Sequence, residues 1–233
     1  MVDPFNRDVL AGGGYRYTTD APLSSRLANA RITLASLRAA SWTGASAIDI
    51  GCGDGTYTAE ILGRGRPASV HGIDPAPAAI EAARERQSDP RLSFSVGSAY
   101  ELPWGDAQFD VGYLRGVLHH VDQPAQALRE AVRVAGRVVV VEPNGCNPGL
   151  KLLERVSRYH REHGERSHPA SRLDRWATEA GGRVVWRAFV GFVPMFSPDP
   201  YARVAKTVEP LLEQLAGVRR IACAQYVFTV DRI

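Results

Sequence analysis

Two aspartates and three glycines fall within seven positions, Asp49-Ile50-Gly51-Cys52-Gly53-Asp54-Gly55. Glycine at such places lets the backbone take a positive φ and lets a ligand approach the main chain closely. A dinucleotide-binding turn would read Gly-x-Gly-x-x-Gly, with a pyrophosphate on the following helix N-terminus. Here the spacing is Gly-x-Gly-x-Gly, and Thr56 holds the sixth position. Asp49 and Asp54 bring negative charge that would repel a pyrophosphate and would suit a ligand carrying an ammonium and a sulfonium. Asp74 stands about twenty residues further on, where an acidic side chain takes both hydroxyls of a ribose. Nicotinamide-binding folds use the same device, so Asp74 alone does not choose the ligand.

A second group could do acid–base work. His119 and His120 are adjacent, and an imidazole titrates near neutrality. Glu142 is an acid at the end of a later apolar run and is expected to orient His120, the candidate general base. Arg115 could pair a ligand carboxylate through its guanidinium. His160, His163 and His168 form a third cluster. Gly164 interrupts it and no supporting partners are evident, so no metal is expected.

These residues need a scaffold that carries them to one edge. Apolar runs at 45–50, 69–73, 92–96, 109–114 and 137–141 read as strands, and helical patterns at 56–62, 76–86 and 124–134 separate several of them. That alternation implies right-handed crossovers and an α/β, Rossmann-like doubly wound sheet. Seven strands are expected, mainly parallel with an antiparallel last one near 222–230, after a sixth near 183–189. Residues 1–44 form a helical cap, with a helix at 22–40 whose inner face is Leu23, Leu27, Ala30, Leu34 and Leu37. Residues 45–142 form the nucleoside-binding core. Residues 143–233 complete the domain with helices near 150–163, 171–180 and 202–215 and an acceptor-binding lid. In that lid 192–198 is a proline-broken aromatic loop.

The turn is similar to motif I of class I methyltransferases, of the form acidic-x-Gly-x-Gly-x-Gly. Gly97-Ser98-Ala99-Tyr100-Glu101-Leu102-Pro103-Trp104 resembles that family's Gly-Asp-Ala-x-x-Leu-Pro-Phe segment, with Ser98 where the family usually carries Asp. Phe109-Asp110-Val111 and Leu118-His119-His120-Val121 resemble the Phe-Asp-x-Val and Leu-His-His-Val segments of small-molecule methyltransferases. The resemblance implies S-adenosylmethionine as cofactor, leaving as S-adenosylhomocysteine. It implies contacts from Asp49, Gly51, Cys52 and Gly53 in the turn and from Asp74 and Pro75 at the ribose and adenine. Ser98 and Ala99, Arg115 near the methionine part, and Tyr17 from the N-terminal segment complete the set. The implied reaction is in-line methyl transfer to a small molecule, with oxygen slightly favoured over nitrogen or carbon. Related enzymes that methylate sugar hydroxyls pair a His with an acid at positions like His120 and Glu142. A non-catalytic cofactor-binding or assembly protein and an NAD(P)-dependent oxidoreductase are the alternatives.

Composition narrows the partners. The formal net charge is only +3, well short of the basic excess usual in nucleic-acid binders. Asn/Asp-Pro-Pro-Tyr, the strand-four signature of enzymes acting on adenine or glutamine amino groups, does not occur. No apolar run reaches the roughly 18–20 residues that span a bilayer. Residues 1–8 lack a basic stretch leading into an apolar one, so no secretory leader is expected. Cys52, Cys146 and Cys223 are too scattered for a disulfide framework, and a cytoplasmic setting follows. The expected assembly is a monomer or homodimer.

Overall fold

Alternate residues of the strands point to opposite faces, and both faces here are apolar, so the sheet must be covered on each side. The computed structural model describes residues 6, 7, 9, 10, 18, 21–158, 161 and 164–233. Its elements run α1 (Leu23–Ala39), β1 (Ser46–Ile50), α2 (Thr56–Gly65), β2 (Ser69–Asp74), α3 (Pro77–Arg86), β3 (Leu92–Val96), β4 (Phe109–Arg115) and α4 (Pro124–Val134). They continue β5 (Ala135–Pro143), α5 (Pro148–Val156), α6 (Ala170–Glu179), β6 (Gly182–Val190), α7 (Asp199–Gln214), α8 (Ala216–Ala222) and β7 (Gln225–Arg232).

The seven strands lie in the order β3-β2-β1-β4-β5-β7-β6. Strands β1 to β5 pair in parallel, and β7 runs antiparallel to both β5 and β6. The order reverses between β1 and β4, so the loops after those strands diverge and open a crevice at the carboxyl edge. Ile48, Leu114, Val138, Val140 and Phe228 pack on one face beneath α4 and α6. Ala47, Tyr113, Val139, Val141 and Val227 pack on the other beneath α1 and α2. No helix among the described residues is long and apolar enough to cross a membrane.

The fold matches the sequence expectation in strand number, direction and class. Three details differ. Helix α1 does not bury its leucine stripe. It buries Ser24, Ser25, Ala28, Asn29, Ile32, Thr33 and Ser36, while Leu34 is exposed. The cause is polar work at its inner face, described below. Helix α5 ends at Val156, and the helix α8 was not expected from the sequence. Strand β7 accordingly begins at Gln225 rather than 222.

Candidate active site

The glycine turn follows from backbone demands. Gly51, Gly53 and Gly55 take φ of 76°, 54° and 73°, values that side chains with a Cβ resist. A Cβ on Gly51 would also lie 2.5 Å from Val117 Cγ2. The amides of Gly51 and Cys52 both donate to the Ile73 carbonyl, at 2.7 and 3.1 Å, tying the turn to the end of β2. Asp74 completes the tie. Its Oδ2 accepts from Gly53 N and its Oδ1 from Ala76 N, each at 2.9 Å. Burial pushes the Asp74 carboxyl above its ordinary pKa, although those two amides oppose the shift.

The two carboxylates that flank the turn are both buried and both have partners within the protein. Asp54 is buried, and its Oδ2 meets Arg86 Nη1 at 2.9 Å and Thr18 Oγ at 3.1 Å. Its Oδ1 accepts from Thr56 Oγ at 2.7 Å. Asp54 is thus held by Arg86, Thr18 and Thr56, and its charge still bears on Cys52 and Asp74 in the turn. Asp49 lies buried under the turn, where Thr58 Oγ donates to its Oδ2 at 2.6 Å. Burial raises its pKa to about 7, against the pull of Thr58 and Arg115 and with a smaller push from Asp74.

One cavity of about 980 Å³ runs along the carboxyl edge. Gly51, Cys52, Gly53, Asp74 and Pro75 line one end, with Ser98 and Ala99 beside them. Arg115 and His120 also line it, whereas Asp49, Asp54 and Glu142 do not. Tyr17 lies outside the described residues. The polar face of α1 now finds its reason. Arg115 Nη1 donates to Thr33 Oγ at 2.9 Å and Nη2 to Asn29 Oδ1 at 3.1 Å. Thr33 in turn donates to Glu60 Oε2 at 2.7 Å. The guanidinium sits 3.3 Å from the centre of the Tyr57 ring, a cation–π contact that fixes its plane. Asn29, Thr33 and Tyr57 were not singled out from the sequence. An apolar-periodicity search discards a polar helix face, so nothing in the pattern flagged them.

At the other end the histidine turn hangs on Glu142. Its Oε1 accepts from Val117 N and Leu118 N, at 2.9 and 2.7 Å. Its Oε2 meets His119 N at 3.1 Å and His119 Nδ1 at 2.8 Å. The expected pairing of Glu142 with His120 is therefore corrected: the acid orients His119. The reason is the turn, which wraps three successive amides around the carboxylate and brings the His119 ring with them. Burial opposes charge on His119, yet Glu142, then Glu165 and Glu154, outweigh it and raise the imidazole above its ordinary pKa. The rings of His119 and His120 lie against each other, tilted by 40°, with centroids 3.9 Å apart. Arg166 N donates to the His119 carbonyl at 3.0 Å and so seats Glu165 beside the pair. His168 stands elsewhere, against Trp176 with ring centroids 4.8 Å apart, and His160 and His163 lie outside the described residues.

The methyltransferase domain family matches residues 48–139, the stretch that holds the turn, Asp74 and the histidines. This chain carries a class I methyltransferase domain. The 27-O-demethylrifamycin SV methyltransferase of Amycolatopsis mediterranei is 28% identical to it over 198 residues, 79% of this chain and 69% of the relative. The trans-aconitate 2-methyltransferase of Methylobacterium radiotolerans is 49% identical over 116 residues, 48% of this chain and 43% of the relative. An uncharacterized 37.1 kDa protein in transposon TN4556 of Streptomyces fradiae is 35% identical over 149 residues, 59% of this chain. The chain spans only 43% of that relative's length.

Solved structures share the fold of this methyltransferase domain. A chain of the complex between the Haloferax volcanii Trm112 methyltransferase activator and its methyltransferase partner superposes with a TM-score of 0.69 at 16% identity, covering 97% of this chain and 96% of that one. Geranyl diphosphate C-methyltransferase of Streptomyces coelicolor A3(2), crystallised with Mg2+, geranyl diphosphate and S-adenosylhomocysteine, gives 0.64 at 16% identity, covering 89% and 81%.

The cavity end formed by the turn fits S-adenosylmethionine. Gly51, Cys52 and Gly53 line it with backbone rather than long side chains, and each Asp74 oxygen keeps a lone pair beyond its one backbone bond.

Proposed function

We propose that this chain transfers the methyl group of S-adenosylmethionine to a small-molecule acceptor, with oxygen the favoured atom. The carrying observation is the cavity's continuity, from the glycine turn and Asp74 past Arg115 to the paired histidines. When bound, the cofactor supplies an activated methyl on a sulfonium. The chain's task is then alignment and exclusion of water, worth roughly 7–11 kcal/mol in favourable cases.

Asp74 takes the ribose hydroxyls, Ser98 and Ala99 border the base, and Arg115 pairs the cofactor's carboxylate. Ser98 offers an uncharged hydroxyl, which also accepts from Tyr100 N at 3.1 Å; lacking a carboxylate's charge, it holds the base less strongly than an aspartate would. An acceptor hydroxyl loses its proton as the new bond forms, and His120 takes it, its ring against that of the Glu142-oriented His119. Residues beyond β5 form the acceptor lid, through Leu150 and Leu153 of α5, Phe196 of the aromatic loop and Tyr201 of α7. These apolar walls suit a bulky, largely apolar acceptor. The rifamycin relative is named for a methylated oxygen, the geranyl diphosphate structure for carbon. The oxygen preference therefore rests on the histidine pair.

The test is a metabolite extract incubated with methyl-labelled cofactor and the chain. A labelled small molecule, identified by mass and lost in the Asp74→Ala variant, supports the proposal. No labelled product from extracts of any acceptor-rich source, with the cofactor bound, would leave a non-catalytic binder.

A further inference from the structure

We infer that His119, His120 and Glu165 form a binding site for a divalent transition metal of the zinc, cobalt or nickel kind. A metal held there blocks methyl transfer by occupying the ring nitrogens that face the acceptor. The ligand atoms of the three side chains lie within 4.8 Å of one another. All three residues line the cavity.

The donor set points to this class of ion. Two imidazoles and one carboxylate suit zinc, cobalt and nickel, whereas magnesium and calcium prefer all-oxygen shells. Three protein ligands leave a coordination position open toward the cavity, the pattern of accessible metal sites rather than closed structural ones. Tetrahedral arms of about 2.0–2.1 Å put neighbouring ligand atoms about 3.4 Å apart. Binding therefore requires the half-buried His120 and Glu165 side chains to draw inward toward His119.

The support behind the site is already built. Histidine ligands commonly donate their second ring nitrogen to a carboxylate, which fixes the tautomer and orients the ring. His119 does this through Nδ1 to buried Glu142 at 2.8 Å, which leaves Nε2 for the metal. The same carboxylate holds the backbone amides of Val117, Leu118 and His119, so the ring sits on a fixed turn. Glu165 is placed by its neighbour, since Arg166 N holds the His119 carbonyl. The nearby Lys151 is paired to Glu154 at 3.0 Å and to the Ser167 carbonyl at 2.7 Å, so its charge is turned away to partners of its own.

The blocking effect rests on the functional reading above; the binding does not. The experiment therefore measures binding first, with neither cofactor nor acceptor present. The full chain, stripped with chelator, is titrated with Co2+ and followed by visible absorption and calorimetry. The expected result is saturation at one Co2+ per chain, displaced by Zn2+. His120→Ala and Glu165→Gln should each weaken binding at least tenfold while circular dichroism stays unchanged. Glu142→Gln should weaken it about 10–100-fold by removing the support for His119. Cys146→Ser should leave it unchanged, which separates this site from the exposed thiol.

Non-saturating uptake, or binding retained in both His120→Ala and Glu165→Gln, overturns the site. In the labelled-methyl assay Zn2+ should abolish transfer reversibly, with chelator restoring it. Faster transfer with Zn2+ overturns the blocking role. Stoichiometric Co2+ binding in a chain that methylates nothing would uphold the site and reject the functional reading instead.

Discussion

Asp49 offers the sharpest thermodynamic test because its carboxyl is buried under the glycine turn with a pKa raised from 3.8 to about 7. In the unfolded chain the group ionises near 3.8. Between about pH 4 and 7 the folded state thus keeps a proton that the unfolded state has lost. The stability this contributes is full below about pH 4 and is lost as pH rises toward 7, at about 1.4 kcal/mol per pH unit. Over the whole shift of about three units the change is about 4 kcal/mol. The perturbation is Asp49→Asn, which removes the titration but keeps the shape. The asparagine carbonyl can still accept from Thr58, while its amide is left to find a partner, a constant cost of about 1–3 kcal/mol. The assay is urea unfolding of both proteins at several pH values from 5 to 8. Subtracting the wild-type stability from that of the variant cancels the groups they share. That difference should climb by about 1.4 kcal/mol per unit up to pH 7 and then level off. A difference that stays flat from pH 5 to 8 refutes the reasoning, because Asp49 would then ionise alike in both states.

Three further outcomes test the site. Gly51→Ala meets both a positive φ and Val117 Cγ2 at 2.5 Å, so it should lower stability by about 1–3 kcal/mol; an unchanged melting temperature contradicts the strained turn. Asp74→Ala should weaken cofactor binding by about 1.5–3 kcal/mol in calorimetry, and equal affinity would reject its ribose contact. His120→Ala should slow turnover about 10²–10⁴-fold, whereas a drop under threefold would leave alignment as the whole mechanism.

The strand-and-helix alternation, the glycine spacing and the acid at the end of β2 were legible because each is a local demand. A positive φ requires glycine, and a buried strand requires an apolar run. Asp74, Ser98, Arg115 and His120, each read from such local patterns, line the cavity. Long-range partners were not legible. Which histidine Glu142 holds depends on how three amides wrap a carboxylate 23 to 25 residues away. That Asp54 pairs with Arg86 depends on α3 lying beside the turn. The inner face of α1 departs from the usual amphipathic rule, because beside Ile32, Ala35 and Ala39, which pack on the apolar sheet, it carries Asn29 and Thr33 for the Arg115 guanidinium. The gathering of Glu165 with the histidines arises from a backbone bond across a loop, which no spacing in the sequence announces.

The most direct measurement is a crystal structure of the chain soaked with S-adenosylhomocysteine. The account predicts ribose hydroxyls on Asp74, the amino-acid carboxylate beside Arg115 and the sulfur facing His119 and His120. The nucleoside bound outside this cavity at saturating concentration, or a dinucleotide pyrophosphate taken up on the glycine turn in its place, would contradict it.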